Sequence, residues 1–312
     1  MCPATGPIPK PTRSNTTMKN NKPSVYEIVT NKLIEKLEQG TAPWVRTWDP
    51  STTSANEPTN YVSKKPYSGI NRILTWIAGY DCPYWVTFKQ AKELGGSVRK
   101  GQKSTPVIFY QPLYFDSDGK RVNDPRQAAT KKVIARSYAI FNLQQCDGIE
   151  LPQPAAVPDK PELRIEACEE IILGWKTACP IKHGGDRAYY RPSTDSIQLP
   201  ERESFHNREA YYATAFHEAI HATGHESRLN RDSLTSADAR FGSETYSKEE
   251  LVAEFGAAFL CSTAGILNST INNSASYLQG WISKLKNDST LAVRAAALAQ
   301  KAADHILNKN LD

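Results

Sequence analysis

The hydrophobic and polar positions of the first half predict one well-defined helix, followed by shorter helices and strands. Apolar residues recur at helical spacing over residues 25–37, and Ser24 with Glu27 forms a capping-box pattern at the start. Gly40 and Pro43 predict where this helix ends. The following pattern predicts a helix over residues 69–78, a strand over 84–88, a helix over 90–94, and a hairpin of strands 107–115 and 133–141.

The second half has a mainly helical pattern. Residues 188–191 and 196–199 predict a short hairpin around a Pro-Ser-Thr-Asp turn. Helical patterns cover residues 162–178, a segment from an Asn207 cap to Gly224, a segment that begins at Ser247, and residues 277–285 and 291–307. Helices and strands in this order predict an α+β fold.

Composition divides the chain into two domains with a tail and a linker. Residues 1–23 are rich in Pro, Ser, Thr, Asn and Lys, which is typical of a disordered tail, and Met18 offers a second start of translation within it. Residues 151–161 hold four prolines and little apolar sequence. We therefore expect them to link a first domain, residues 24–150, to a second domain, residues 162–312.

The formal net charge of +5 is divided unevenly between the halves. Residues 1–150 hold 21 Lys+Arg and 12 Asp+Glu, whereas residues 151–312 hold 17 and 21. A basic first half is typical of a domain that meets a polyanion, although a solvated basic surface has the same composition.

The cellular setting follows from what the sequence lacks. The six cysteines form no Cys-x-x-Cys pair, and the first twenty residues contain no apolar segment of a secretory signal. No apolar run approaches the ~20 residues that span a bilayer. We expect a cytoplasmic protein with no disulfide framework and no membrane partner.

The segment His217-Glu218-Ala219-Ile220-His221 carries the strongest chemical signal. Residues four apart on a helix share one face, so both imidazoles can bind one Zn²⁺ ion. Glu218 can take a proton from the zinc-bound water as that water attacks a carbonyl. Because the motif lies inside an independently predicted helix, we interpret it as a zinc-hydrolase site rather than as two structural histidines.

The third zinc ligand has two candidates. A metzincin would continue to a histidine at position 227, where this chain has Ser227, so that subclass is disfavoured. A gluzincin takes a glutamate from a later helix, which fits Glu250 as ligand with Glu254 supporting a histidine. Alternatively, Ser247 and Glu250 form a capping box, which leaves Glu254 as the ligand.

Aromatic and basic side chains interleave in the first half. Rings that stack on bases and cations that follow phosphates suit single-stranded nucleic acid, although most aromatic residues of a domain belong to its core. The candidate DNA-binding residues are Trp44, Trp48, Tyr61, Tyr67, Arg72, Trp85, Lys89, Arg99, Lys100 and Lys103.

Several sequence blocks, in order, resemble the ArdC antirestriction family. The first domain resembles an N-terminal domain shared with plasmid TraC primases, through residues 40–44, 66–71, 85–90 and 95–101. The second resembles the zincin-like metallopeptidase domain of ArdC, through residues 217–221, 227–231 and 249–254. The resemblance covers nearly the whole chain after the tail.

This resemblance implies a protein that binds single-stranded DNA and carries a gluzincin-like zinc metallopeptidase domain. Members of the family travel on conjugative plasmids and help incoming DNA escape host restriction. The implied role is protection of entering DNA, with a protein near that DNA as the substrate. Two alternatives stay open: a DNA-coating protein with an idle zinc site, and a nuclease, which usually needs a carboxylate-rich two-metal site.

Overall fold

The computed structural model describes residues 23–44, 57–151, 161–235, 244–266 and 275–309. The predicted tail up to residue 22, residues 152–160 of the predicted linker, and Trp48 lie outside the described residues.

The first half combines helices with a β-sheet. Its helices are α1 (Val25–Glu38), α2 (Ile70–Ile77) and α3 (Phe88–Glu93). Its strands are β1 (Thr59–Asn60), β2 (Tyr84–Thr87), β3 (Ser97–Val98), β4 (Thr105–Phe115), β5 (Arg121–Val122), β6 (Thr130–Asn142) and β7 (Cys146–Asp147). The capping box at Ser24 and Glu27 is present, so the sequence prediction of the first helix is confirmed.

A long antiparallel hairpin of β4 and β6 organises the first sheet. Its register runs from Thr105 opposite Ile140 to Phe115 opposite Thr130. β2 pairs with the end of β6, and β1 and β5 occupy the two edges of this five-stranded sheet. The predicted hairpin is therefore confirmed.

The second half is mainly helical. Its elements are α4 (Pro161–Gly174), β8 (Ile181–His183), β9 (Tyr189–Arg191), β10 (Ser196–Leu199), α5 (Arg208–Thr223), α6 (Asp232–Thr235), α7 (Glu244–Ala264), α8 (Ala275–Asn287) and α9 (Leu291–Ile306). β10 lies between β8 and β9. The sequence pattern missed β8, because three residues with a single apolar side chain show no alternation.

Helix α7 differs from its prediction at its start. It begins at Glu244, whereas the sequence pattern placed the first turn at Ser247. Ser247 therefore lies inside the helix, whereas an N-cap residue precedes the first helical residue. The capping-box interpretation of Ser247 and Glu250 does not fit the structure.

The two halves share one hydrophobic core. α1 packs against α8, and α2 packs against both β4 and α9. Leu33 and Ile73 of the first half belong to the same buried cluster as Phe255 and Phe259 of α7. The two domains are thus distinct along the sequence, but their helices bury apolar surface against each other.

Two further features bear on the expected setting. No helix within the described ranges combines the length and the apolar character that crossing a membrane requires. The cysteines in the same ranges, Cys82, Cys146, Cys168, Cys179 and Cys261, have free thiols.

Candidate metal centre

Helix α5 presents two histidines on one face. The Asn207 side chain caps the helix, and the fully buried Phe216 and Ile220 anchor it in the core. The Nε2 atoms of His217 and His221 lie 3.2 Å apart. Two ligands of a tetrahedral zinc ion lie about 3.3 Å apart when each is at the usual ~2.0–2.1 Å from the metal. The two imidazoles are therefore spaced for joint coordination.

Helix α7 brings a carboxylate to these imidazoles. Glu250 Oε2 lies 3.6 Å from His217 Nε2, and Glu250 Oε1 lies 3.5 Å from His221 Nε2. Gly256 allows the two helices to approach, because a Cβ there would come within 2.6 Å of the Ile220 side chain. The three ligand atoms lie within 4.8 Å of one another. Two imidazole nitrogens and one carboxylate oxygen fit a divalent cation and leave a coordination position open.

A second carboxylate, that of Glu249, orients His221. It is almost fully buried and lies 3.3 Å from His221 Nδ1. Because a carboxylate only accepts hydrogen bonds, Nδ1 donates to Glu249, and this bond turns Nε2 towards Glu250. Arg231 and Ser233 both donate to Glu249, and Arg231 also donates to Thr223 Oγ1 at 2.6 Å. These donors hold the supporting carboxylate in place.

The charges of this cluster favour a cation between its side chains. Burial alone would lower the pKa of His221, but hydrogen bonds to Glu249 and Glu250 raise the pKa to about 10. Burial opposes ionisation of Glu249 as well, yet His221 and Arg231 lower its pKa to about 2. The pKa of Glu250 is also lowered, against the effect of burial, by the two histidines. The carboxylates thus stabilise positive charge at the imidazoles, whether it comes from protons or from a metal ion.

Glu218 shares a cleft with the three candidate ligands. The cleft has a volume of about 370 Å³ and is lined by Glu218, His217, His221 and Glu250 together with Tyr190 from β9. Glu218 is mostly buried and lies outside the set of three donor atoms. A larger cavity of about 610 Å³ lies between α4 and α5, away from this cluster, so size alone does not identify the site. The chemistry of the lining does.

Glu254 is engaged elsewhere. It lies one turn beyond Glu250 on α7 and accepts hydrogen bonds from Tyr277 at 2.6 Å and from the Trp44 indole at 3.3 Å. The sequence assigned Glu254 either as the ligand or as the support for a histidine. In the structure the contact with His221 belongs to Glu249 instead. The sequence signal for Glu249 was its place beside Glu250, within a block that resembles the ArdC family.

Four of the candidate DNA-binding residues are buried, so the structure contradicts their predicted role. The side chains of Trp44, Trp85, Tyr67 and Arg72 are buried, with 0%, 1%, 6% and 2% of their surface exposed. Trp44 packs edge-to-face on Phe255, and the Arg72 guanidinium pairs with Glu57. A buried ring has no free face for a base, and the buried Arg72 guanidinium is already paired, so these residues serve the interior of the protein.

The remaining DNA-binding candidates within the described residues lie nearer the surface. The Tyr61 ring packs against Tyr84, with the Lys64 ammonium 3.9 Å from its centroid. Arg99 is held by Asp147 and by the Gln144 carbonyl. The three exposed lysines of the set are Lys89, Lys100 and Lys103.

The fold and the donor cluster define the second half as a zincin-like domain. Residues 166–298 match the family model described as a zincin-like metallopeptidase, and residues 23–141 match the N-terminal domain of anti-restriction factor ArdC. Together with the solved and curated relatives below, these matches show that the chain belongs to the ArdC family.

Two crystal structures of antirestriction ArdC from plasmid R388 have the same fold. The metal-free structure has a TM-score of 0.70 and 33% identity, and the match covers 92% of this chain and 99% of that chain. The Mn(II)-bound structure has a TM-score of 0.69 and 34% identity, and the match covers 91% of this chain and 97% of that chain.

Curated relatives extend the comparison. A DNA primase TraC of Escherichia coli is 39% identical over 308 residues, which cover 95% of this chain but 20% of the relative. A second TraC of the same species is 38% identical over 298 residues, 92% of this chain and 27% of the relative. This chain therefore spans about a fifth to a quarter of these primases. The uncharacterized protein y4eC of Sinorhizobium fredii is 34% identical over 285 residues, 90% of each chain.

Proposed function

We propose that this protein is a plasmid antirestriction factor that combines single-stranded-DNA binding with a zinc metallopeptidase centre. The ligands are His217, His221 and Glu250, and Glu218 is the general base. The observation that carries this proposal is the arrangement of Glu218: it faces the cleft of the three donor side chains without belonging to the donor set. A purely structural metal site has no use for such a carboxylate.

The chemistry of each residue follows from its position. When bound, a zinc ion acts as a Lewis acid that polarises a carbonyl oxygen and lowers the pKa of water. Glu218 accepts the proton of the attacking water and passes it to the leaving amine. Glu249 holds the His221 ring in one orientation, and Arg231 holds Glu249. The existence of a Mn(II)-bound form of the R388 relative supports binding of a divalent metal.

The DNA-binding part of the proposal rests on the first half of the chain. Its match to the N-terminal domain of ArdC and the identity with TraC primases support contact with single-stranded DNA. Its excess of basic residues, 21 against 12 acidic ones, supports the same partner. A protein located near the entering strand is then within reach of the cleft as a peptide substrate.

Plasmid transfer into restricting and non-restricting recipients tests the proposal. Glu218→Gln removes the general base with little change in shape, and we expect it to lose protection in restricting recipients while transfer into non-restricting recipients is unchanged. Glu226→Gln, at an exposed glutamate just after α5, is the matched control and should protect like the wild type. Equal protection by Glu218→Gln would contradict a catalytic role and favour protection by coating the DNA strand.

A further inference from the structure

One face of the β4–β6 hairpin exposes aromatic side chains that the core does not use. Phe109 is 48% exposed and Tyr138 is 43% exposed. Their ring centroids lie 5.6 Å apart in an edge-to-face arrangement. Edge-to-face contact leaves part of each ring face open. Exposed apolar side chains that lie together, rather than singly, are typical of a binding surface.

Basic side chains lie on the same face of the hairpin. Arg136 is the cross-strand partner of Phe109, and Lys132 is the partner of Leu113. Directly opposed residues of an antiparallel pair project to the same face, as do residues two apart along a strand. Tyr138, Arg136 and Lys132 therefore form one row with Phe109 beside it. The row is about 20 Å long, because six residues of strand separate its ends.

The charge of this hairpin is unbalanced. The strands β4 and β6 contain Lys131, Lys132 and Arg136 but no Asp or Glu. Among the described residues no carboxylate pairs with Arg136 or Lys132, and both side chains are exposed. The acidic residues of the hairpin, Asp116, Asp118 and Asp124, lie in the segment that joins the two strands. The row of rings and cations thus complements a polyanion whose bases have free faces.

The geometry points to this face, formed by Phe109, Tyr138, Arg136 and Lys132, as the single-stranded-DNA-binding surface of the protein. The inference rests on the DNA-binding function proposed above and locates it. Unpaired bases stack on the open ring faces, and the phosphates between them contact the two cations. Duplex DNA is a poorer occupant, because its bases already stack on one another. The buried Trp44 and Trp85 take no part.

Fluorescence anisotropy with the full chain and a labelled 20-nucleotide oligothymidine tests this location. We expect Phe109→Ala and Tyr138→Ala each to weaken binding by about 5- to 150-fold, the range found for loss of one base–aromatic contact. Tyr138→Phe keeps the ring and should bind within about twofold of the wild type. Arg136→Ala and Lys132→Ala should each reduce the log–log salt slope by about 0.7. Lys176→Ala, which removes an exposed charge from the other half, should leave affinity and slope unchanged.

The possible outcomes distinguish a wrong location of the binding surface from an absence of DNA binding. Wild-type affinity in the Phe109→Ala, Tyr138→Ala double variant would overturn this location and leave DNA binding itself intact. Tighter wild-type binding to a duplex than to the single strand would overturn the stacking model. A wild-type protein that does not bind the oligonucleotide would overturn the proposed DNA-binding function as a whole. Circular dichroism of each variant verifies that the fold is retained, which is expected because all four side chains are exposed.

Discussion

The indole Nε1 of Trp44 donates a hydrogen bond to the Glu254 carboxylate at 3.3 Å, and this contact links the first half of the chain to the helix of the candidate metal ligand. Tyr277 donates to the other oxygen of Glu254 at 2.6 Å. Since Glu254 lies one turn from Glu250, the two donors fix α7 close to the donor cluster. The metal centre is therefore supported by residues that the sequence places in different domains.

Loss of the Trp44 ring should destabilise the whole molecule. Trp44→Ala removes a fully buried ring that packs on Phe255 and Trp281, so we expect a loss of about 3–5 kcal/mol in the free energy of unfolding. Urea denaturation followed by circular dichroism measures this loss. Leu173→Ala, at a residue that is 80% exposed, should stay within about 0.5 kcal/mol of the wild type. A Trp44→Ala protein as stable as this control would contradict the conclusion that Trp44 stabilises a core shared by the two halves.

Removing the charge of Glu249 should weaken metal binding without removing a ligand. Glu249→Gln disturbs the support of the His221 ring, and we expect the affinity for Zn²⁺ to fall about 10- to 100-fold. Competition with a chromophoric chelator measures the affinity, and Glu226→Gln is the matched surface control. Unchanged affinity in Glu249→Gln would show that His221 needs no such partner. Unfolding measured on the same samples separates this effect from instability caused by the buried Arg231.

The two glutamate candidates on α7 should differ in their effect on metal content. Glu250→Ala should lose bound zinc, as should His217→Ala and His221→Ala, because each removes a member of the donor cluster. Glu254→Ala should retain zinc. Metal analysis of the purified variants provides the measurement, with His183→Ala as the control, since His183 lies against Tyr211. Loss of zinc from Glu254→Ala but not from Glu250→Ala would reverse the assignment.

Asp195 should make the stability depend on pH in the acid range. The hydrogen bond from Arg228 lowers the pKa of Asp195, and one from Tyr190 acts in the same direction. A lowered pKa contributes stability that is present above the ordinary carboxyl value and is lost as the pH falls through the folded-state value. Urea denaturation at a series of pH values below 5 should therefore show a weaker decline for Asp195→Asn than for the wild type. Parallel curves would exclude this contribution.

The sequence predicted the parts of the site that depend on local geometry. His217 and His221 are four residues apart in one helix, so their shared face follows from helical periodicity alone. The long hairpin also followed from a local pattern of β-branched and aromatic residues. Glu249 could not be assigned in the same way. Its contact with His221 depends on how α7 is rotated against α5, and that rotation is set by packing between distant segments.

The prediction that Trp44 and Trp85 bind DNA was wrong for a related reason. Composition shows that the first half is rich in aromatic and basic residues, but it does not show which rings face the core. Trp44 and Trp85 are buried, whereas Phe109 and Tyr138 are exposed and were not among the predicted DNA-binding residues. Trp44 is buried by Phe255 and Trp281 of the second half, whereas Trp85 is buried by Tyr67, Val107 and Ile140 of its own half. These contacts join distant segments, which no local pattern reveals.

A crystal of the zinc-loaded protein, with anomalous diffraction recorded on both sides of the zinc edge, tests the metal centre most directly. We expect one zinc site, within about 2.0–2.2 Å of His217 Nε2, His221 Nε2 and a Glu250 carboxylate oxygen. Glu218 should lie outside the coordination sphere and face the open position. A zinc ion bound by Glu254, or located away from the two histidines, would contradict the proposed centre.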